Sequence, residues 1–156
     1  MPQIGRLTTE AVQALIEAAL PWNIPISVFQ TPKTQVNWTT VQLNGALIYL
    51  SRLNSSGAQN DQITWDIVLA KGTWTFDLLH CKLTDRGIYS IQFDSVEVAS
   101  IDGYYSDVLA NALSTITGIV IPATKKIEIK LKMATKNASS GGYYGSIQGI
   151  NLMRTA

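Results

Sequence analysis

The chain has 156 residues, one domain's worth, with a net charge of +1, 46% apolar residues and only 15% charged ones. Such a balance gives no push toward nucleic acid or an anionic membrane surface, and so few charges favour a surface partly covered by partners or further copies. A single cysteine, Cys81, and a single histidine, His80, exclude an internal disulfide and a thiolate metal cluster and leave little for a histidine-based active site.

Residues 7–20, LTTEAVQALIEAAL, spell an amphipathic helix. Val12, Leu15, Ile16, Ala19 and Leu20 recur at the helical period, Thr8 or Thr9 can cap the start, and Pro21 stops it. A helix this short is marginal alone, so its stripe must be buried. Its own domain could bury it, or a self-associating bundle, or a larger assembly into which Val12, Leu15, Ile16 and Ala19 would anchor the chain. The first twenty residues carry Arg6, Glu10 and Glu17 and no apolar h-region, so no signal peptide is expected, and no apolar run is long enough to span a bilayer. Pro21, Pro25 and Pro32 then stiffen a connecting segment with a short strand candidate at Ile26–Phe29. The expected division is an attachment segment over 1–37 and a β-sandwich domain over 38–156.

From Trp38 onward the texture is strands broken by polar turns. Strands are expected over 38–52, 62–70, 72–82, 87–93, 96–101, 116–121, 125–134 and 146–154. Ile63, Trp65, Ile67 and Leu69 share one face, as do Trp74, Phe76 and Leu78, and Tyr89, Ile91 and Phe93. Ile127, Ile129, Leu131 and Met133 alternate with Lys126, Glu128, Lys130 and Lys132. Period-two alternation puts one wall on a core and the other on solvent. Turns fall at Asn54–Gly57, Lys71-Gly72, Asp85–Gly87, Asp94-Ser95, Asp102-Gly103 and Ser139–Gly142. The fold class is therefore all-β: an antiparallel jelly-roll-like β-sandwich preceded by a short N-terminal α-helix. Residues 106–114, SDVLANALS, fit either a helical turn or a long inter-sheet loop. The Lys126, Lys130 and Lys132 stripe reads as a solvated face that blunts edge pairing, with an anionic ligand as the lesser alternative.

No nucleophile elbow, P-loop, zinc-protease helix or dinucleotide fingerprint occurs. His80 is expected to be a core or interface histidine, since the adjacent Cys81 points to the other side of the strand. The acidic residues are scattered, with Asp66, Asp77 and Glu128 at positions expected to face solvent. Asp102 and Asp107 flank a turn, but a calcium ion wants about six oxygens, and the spacing matches no known loop. Turn-forming aspartates are the expectation. No catalytic residue, cofactor or metal is expected, and a non-enzyme follows. Asn37-Trp38-Thr39, Asn54-Ser55-Ser56 and Asn137-Ala138-Ser139 spell glycosylation sequons.

The aromatic residues say more. Tyr104-Tyr105 and Tyr143-Tyr144 adjoin glycine-containing turns, and in extended chain one of each pair faces outward. An outward tyrosine offers a flat apolar face and a hydroxyl, which suits a sugar, with Asp102 and Asn137 as hydrogen-bond partners. The same rings equally suit packing between subunits or under the loops.

Residues 60–155 resemble a family of β-sandwich domains from tailed-bacteriophage fibres and other virion appendages. The ordered pieces are NDQITWDIVLAKGTWTFDLLH (60–80), DRGIYSIQFDSVEVASIDGYYS (85–106), ITGIVI (116–121) and KKIEIKLKMATKNASSGGYYGSIQGINLMRT (125–155). The arrangement is also similar to galactose-binding-like jelly rolls used as carbohydrate-binding modules. The resemblance implies a homotrimer on a virion, assembled in the host cytoplasm and docked on baseplate, tail or capsid proteins. It implies a non-catalytic fibre or appendage that binds a host-surface glycan, or alternatively a capsid cement protein. A free carbohydrate-binding module or a small hydrolase is a third reading, the hydrolase disfavoured by the residue inventory. One departure stands out: Asp94-Ser95 occupies the turn where the family pattern has Asp-Gly, so a longer or bulged hairpin is expected there.

Overall fold

The computed structural model describes residues 23–24, 32–43, 46–51 and 57–156, with side chains for 32–38 and 57–156. The expected helix over 7–20 with Val12, Leu15, Ile16 and Ala19, the strand candidate Ile26–Phe29 and the turn residues 54–56 lie outside the described residues.

The strands are β1 (Asn23–Ile24), β2 (Thr34–Val36), β3 (Trp38–Leu43), β4 (Ala46–Ser51), β5 (Gln62–Leu69), β6 (Gly72–Lys82), β7 (Gly87–Phe93), β8 (Val96–Asp102), β9 (Leu109–Ile121), β10 (Lys125–Lys136) and β11 (Gly145–Arg154). They form two antiparallel sheets. One has the order β3-β4-β11-β6-β9, with β1 also on β11, and the other the order β2-β5-β10-β7-β8. This is the all-β sandwich that the alternation predicts. The attachment segment drawn over 1–37 contributes two of these strands, since β1 pairs with β11 and β2 with β5.

The apolar faces read from the sequence meet between the sheets. Trp65, Trp74, Phe76, Tyr89 and the inward side of β10 are fully buried there. The Trp74 indole donates to the Ala70 carbonyl at 3.0 Å, which satisfies the polar edge of a ring otherwise placed for its apolar area. Phe76 and Phe93 meet edge to face across the core at 6.1 Å.

Three expectations are corrected and a fourth is met in part. The single strand over 38–52 is a pair, β3 and β4, aligned antiparallel from Trp38↔Ser51 to Leu43↔Ala46. The Asn44-Gly45 spelling between them was the hairpin signal; those two residues lie outside the described ones. Next, 109–114 is neither helical turn nor loop but the first half of β9. Two bulges erase its period: the register with β6 shifts opposite Cys81 and again opposite Thr75, with Asn111 and Gly118 at positive φ. Leu109, Ala112 and Leu113 thereby acquire a helix-like spacing.

Third, the lysine stripe guards no edge, because β10 is the central strand of its sheet. Lys126 pairs with Asp66 at 3.0 Å, Lys130 with Glu128 at 3.4 Å, and Lys33 bridges Asp66 and Glu128 at 3.1 and 3.0 Å. Lys126 and then Lys33 hold the Asp66 carboxyl below its usual range, and Lys33 chiefly does the same to Glu128. The face is a compensated charge lattice.

Fourth, the Asp94-Ser95 hairpin is bulged, one of the two expected departures, with the register shift between Ile91 and Gln92; its turn is not longer than two residues, since Phe93 pairs directly with Val96. Asp94 and Ser95 both take positive φ, 50° and 67°. Asp94 is fastened in that shape: its carboxylate accepts the Glu128 amide at 2.9 Å and the Lys125 ammonium at 2.7 Å. Ser95 sits in the left-handed region with no such bond, at a cost of about 1 kcal/mol. Part of that returns as unfolded-state entropy when glycine is substituted. Ser95→Gly is therefore expected to stabilise the protein by about 0.5 kcal/mol, raising the melting midpoint by roughly 1–2 °C. A midpoint that stays or falls would show that the turn stores no strain.

Candidate functional site

Strand directions gather the 57–61, 83–86, 103–108 and 137–144 loops at one end of the sandwich. The 83–86 loop is the clasp. On one side the Leu83 amide donates to the Gly103 carbonyl at 3.2 Å, and the Tyr105 amide returns to the Leu83 carbonyl at 3.2 Å. On the other, the Tyr144 amide donates to Asp85 at 3.1 Å, Gly141 to Thr84 at 2.9 Å and Gly87 to Tyr144 at 2.9 Å. The Ser140 hydroxyl reaches the Arg86 carbonyl at 2.8 Å. Backbone hydrogen bonds thus join these loops into one unit, and each such buried bond contributes about 1 kcal/mol.

Two of the residues singled out from the sequence, Asp102 and Asn137, complete the seam. Asp102 accepts the Tyr104 amide at 2.8 Å and the Asn137 side-chain amide at 2.7 Å, and Asn137 accepts the Ser139 amide at 2.9 Å. Gly103 is required beside them, because a Cβ there would sit 2.7 Å from the Gly87 carbonyl oxygen. The Asn137 sequon nitrogen is committed to Asp102, and the Asn37 nitrogen to the buried Asp61 carboxylate at 2.7 Å. Asp107 accepts its neighbour's amide, from Val108, at 2.8 Å. Among the described residues no group of three or more histidine, cysteine, aspartate or glutamate side chains is arranged to hold a metal.

The four tyrosines all lie at this end. Tyr105 is 45% exposed, while Tyr104, Tyr143 and Tyr144 are half-buried. The Lys136 ammonium stands 5.4 Å from the centre of the Tyr143 ring. The expected hydrogen-bonding pair thus turns inward to shape the loops, and the rings remain at the rim.

Beneath the loops sits Tyr89, whose role sequence reasoning missed by reading it as one more apolar strand position. Its hydroxyl accepts the Ser146 amide at 3.0 Å and faces the Ser146 carbonyl at 3.4 Å, linking β7 to β11 across the core. Burial pushes its pKa up to about 12, so it stays neutral. His80 packs edge to face on Tyr89 at 5.5 Å and is 0% exposed, the core histidine expected from the sequence. Its Nε2 lies 3.0 Å from the Ser114 hydroxyl. A nucleophile–base pair would need a group on Nδ1 to orient the ring and a basicity near neutral. Nδ1 is buried without a partner among the described residues, and burial, with Lys82 nearby, lowers the pKa to about 4. The contact is a packing bond to β9.

No protein-family model and no curated protein sequence matches the chain. Solved structures match it in fold. A xanthan lyase from Paenibacillus superposes with a TM-score of 0.65 at 18% identity, over 80% of this chain and 12% of the lyase. The CBM36-1 domain of a multidomain xylanase from the Trinervitermes trinervoides hindgut metagenome does so at 0.56 and 15% identity, over 86% of this chain and 97% of that domain. A family 6 carbohydrate-binding module from Clostridium cellulolyticum, in complex with xylose, does so at 0.53 and 13% identity, over 86% and 96%. At these identities the likeness establishes the fold, a jelly-roll sandwich of module size.

The His80 geometry fixes a pH dependence. Its folded pKa lies below the ordinary 6.5, so protonation favours the unfolded chain. The contribution is complete above about pH 6.5 and is lost as pH falls toward about 4, by at most about 3 kcal/mol. Chemical denaturation of His80→Leu is expected to fall less steeply than wild type across that window. Parallel curves would show that His80 titrates normally in the fold.

Proposed function

We propose that this protein is a non-catalytic glycan-binding module whose binding surface is the loop end. The carrying observation is a cluster of tyrosines, Tyr105 the most exposed, on loops immobilised by the clasp at 83–86. A ring carried on a fixed backbone stacks on the C–H face of a sugar with no loop-ordering cost. Lys136 beside Tyr143 adds a cation at the rim. The fold likeness supports the reading, since module-sized neighbours include one in complex with xylose. The sequence resemblance over 60–155 supports a setting: a homotrimer on a tailed-phage particle, contacting a host-surface glycan, with weak sites multiplied over copies.

A second reading, a capsid decoration protein, is favoured by the engagement of Asp102 and Asn137 with each other, which spends two polar groups on shaping the loops. The readings separate on an array of bacterial-envelope and plant polysaccharides probed with the labelled protein. The glycan reading expects binding that Tyr105→Ala weakens by about threefold to tenfold per site, the loss of one stacked ring. The melting point should stay within about 1–2 °C, as for an exposed loop position. Absence of binding across the array, or an unchanged signal in folded Tyr105→Ala, would overturn it.

A further inference from the structure

The two sheets differ on their outer faces. Trp74, Phe76, Leu78 and His80 of β6 point into the core, so Thr73, Thr75, Asp77 and Leu79 point out. Paired residues share a face, which puts Val120 beside Thr73, Met153 beside Thr75 and Leu113 beside Leu79 on the same outer surface. Val120, Met153 and Leu113 are exposed there. Leu79, Leu113 and Gly149 border a hollow of about 500 Å³. Asp77 is the one charged residue in its lining, and its carboxylate accepts the Thr115 hydroxyl at 2.7 Å. The outer face of the other sheet carries the lattice of Lys33, Asp66, Lys126, Glu128 and Lys130 instead.

The chain itself brings an apolar element to this place. β1 runs antiparallel to β11, with Asn23 opposite Met153 and Ile24 opposite Leu152. The chain therefore reaches Asn23 at the end of the sandwich away from the loops, beside the sheet that carries the hollow. Only Pro21 and Trp22 separate Asn23 from the amphipathic stretch 7–20, so the Cα of Leu20 lies within about 11 Å of that of Asn23. As a helix, that stretch measures about 21 Å. The exposed apolar residues cover nearly the same length, from Val120 and Met153 near the entry end to Leu113, roughly 20 Å along β6 from Thr73 to Leu79.

We propose that residues 7–20 fold back as a helix onto the outer face of β11, β6 and β9 and cover the hollow at Leu79 and Leu113. Val12, Leu15, Ile16 and Ala19 meet the sheet, with Ala19 toward Met153 and Val12 toward Leu113. On the helical period Glu10 and Glu17 fall opposite that stripe, so they stay in solvent and bring no carboxylate against Asp77. The lattice across the sandwich is a poorer seat, because an apolar stripe laid on it would desolvate its ions. A segment held this way is a cover for the far half of the sandwich, not a free arm. The inference is independent of the glycan reading.

Cross-linking in the full chain tests it, with Cys81→Ser as the background. Val12→Cys/Leu113→Cys treated with a short bifunctional maleimide is expected to link within one chain, read on a denaturing gel and by peptide mass. Val12→Cys/Val68→Cys, with its second cysteine at an exposed position of the other sheet, is expected to link about tenfold less. Adding Leu15→Asp/Ile16→Asp to the first pair is expected to cut the yield by about tenfold, since the docked stripe would bury two carboxylates. In the otherwise unaltered chain the same two aspartates are expected to lower the melting midpoint by roughly 5 °C or more. Leu79→Cys replaces Leu113→Cys if the first pair does not fold. No link in a folded pair, equal linking to position 68, or a yield indifferent to the aspartates would each overturn the inference. Links formed only between chains would also overturn it, and would make a second copy the cover.

Discussion

One buried hydroxyl holds the upper half of this sandwich in shape. The Ser146 amide near the start of β11 must find an acceptor inside the core, and Tyr89 supplies one from the opposite sheet. Sheets pack about 10 Å apart, and a tyrosine standing on β7 is long enough to bridge that gap with its polar tip. The ring then becomes a floor. A Cβ on Gly145 would come within 3.0 Å of it and one on Gly103 within 3.2 Å, so the chain at both loops rests directly on the aromatic surface. Because burial lifts the phenol to about 12, the support does not titrate over any ordinary pH.

Everything above that floor is arranged by polar groups spent internally. Asp102 and Asn137 look, as residue types, like ligand contacts at the tips of loops. Their partners are instead the Tyr104 amide, the Ser139 amide and each other. Such residues govern a surface by fixing where its rings stand. The result is a rim whose backbone has little left to order, the condition under which shallow contacts with a flat, hydroxyl-rich ligand become productive.

The regular parts of the fold were legible where alternation was undisturbed. β5, β6, β7 and β10 each carry clean period-two runs, and these became the core. The failures have separate causes. The bulges at Asn111 and Gly118 displaced the pattern of β9, so 109–114 resembled a helical turn. In 38–52 the apolar content outweighed an Asn-Gly spelling that marks a hairpin. The lysine stripe was correctly placed on a solvent face, but which strand forms an edge is decided by long-range pairing, which no local pattern contains. The tyrosine pairs were visible because they adjoin glycines. Tyr89 was not, because an inward tyrosine and an inward phenylalanine are spelled by the same alternation, and only the partner amide on β11 distinguishes them.

The bulged edge has a consequence for crowding. A flat, uncharged strand of this length would act as a template, and chains held at high local density would grow sheet upon sheet into fibrils. With extra residues at Asn111 and Gly118, β9 twists out of register with any straight neighbour after a few residues. This edge of the sandwich can stay apolar without becoming a template: it is too crooked for further strands to add in register.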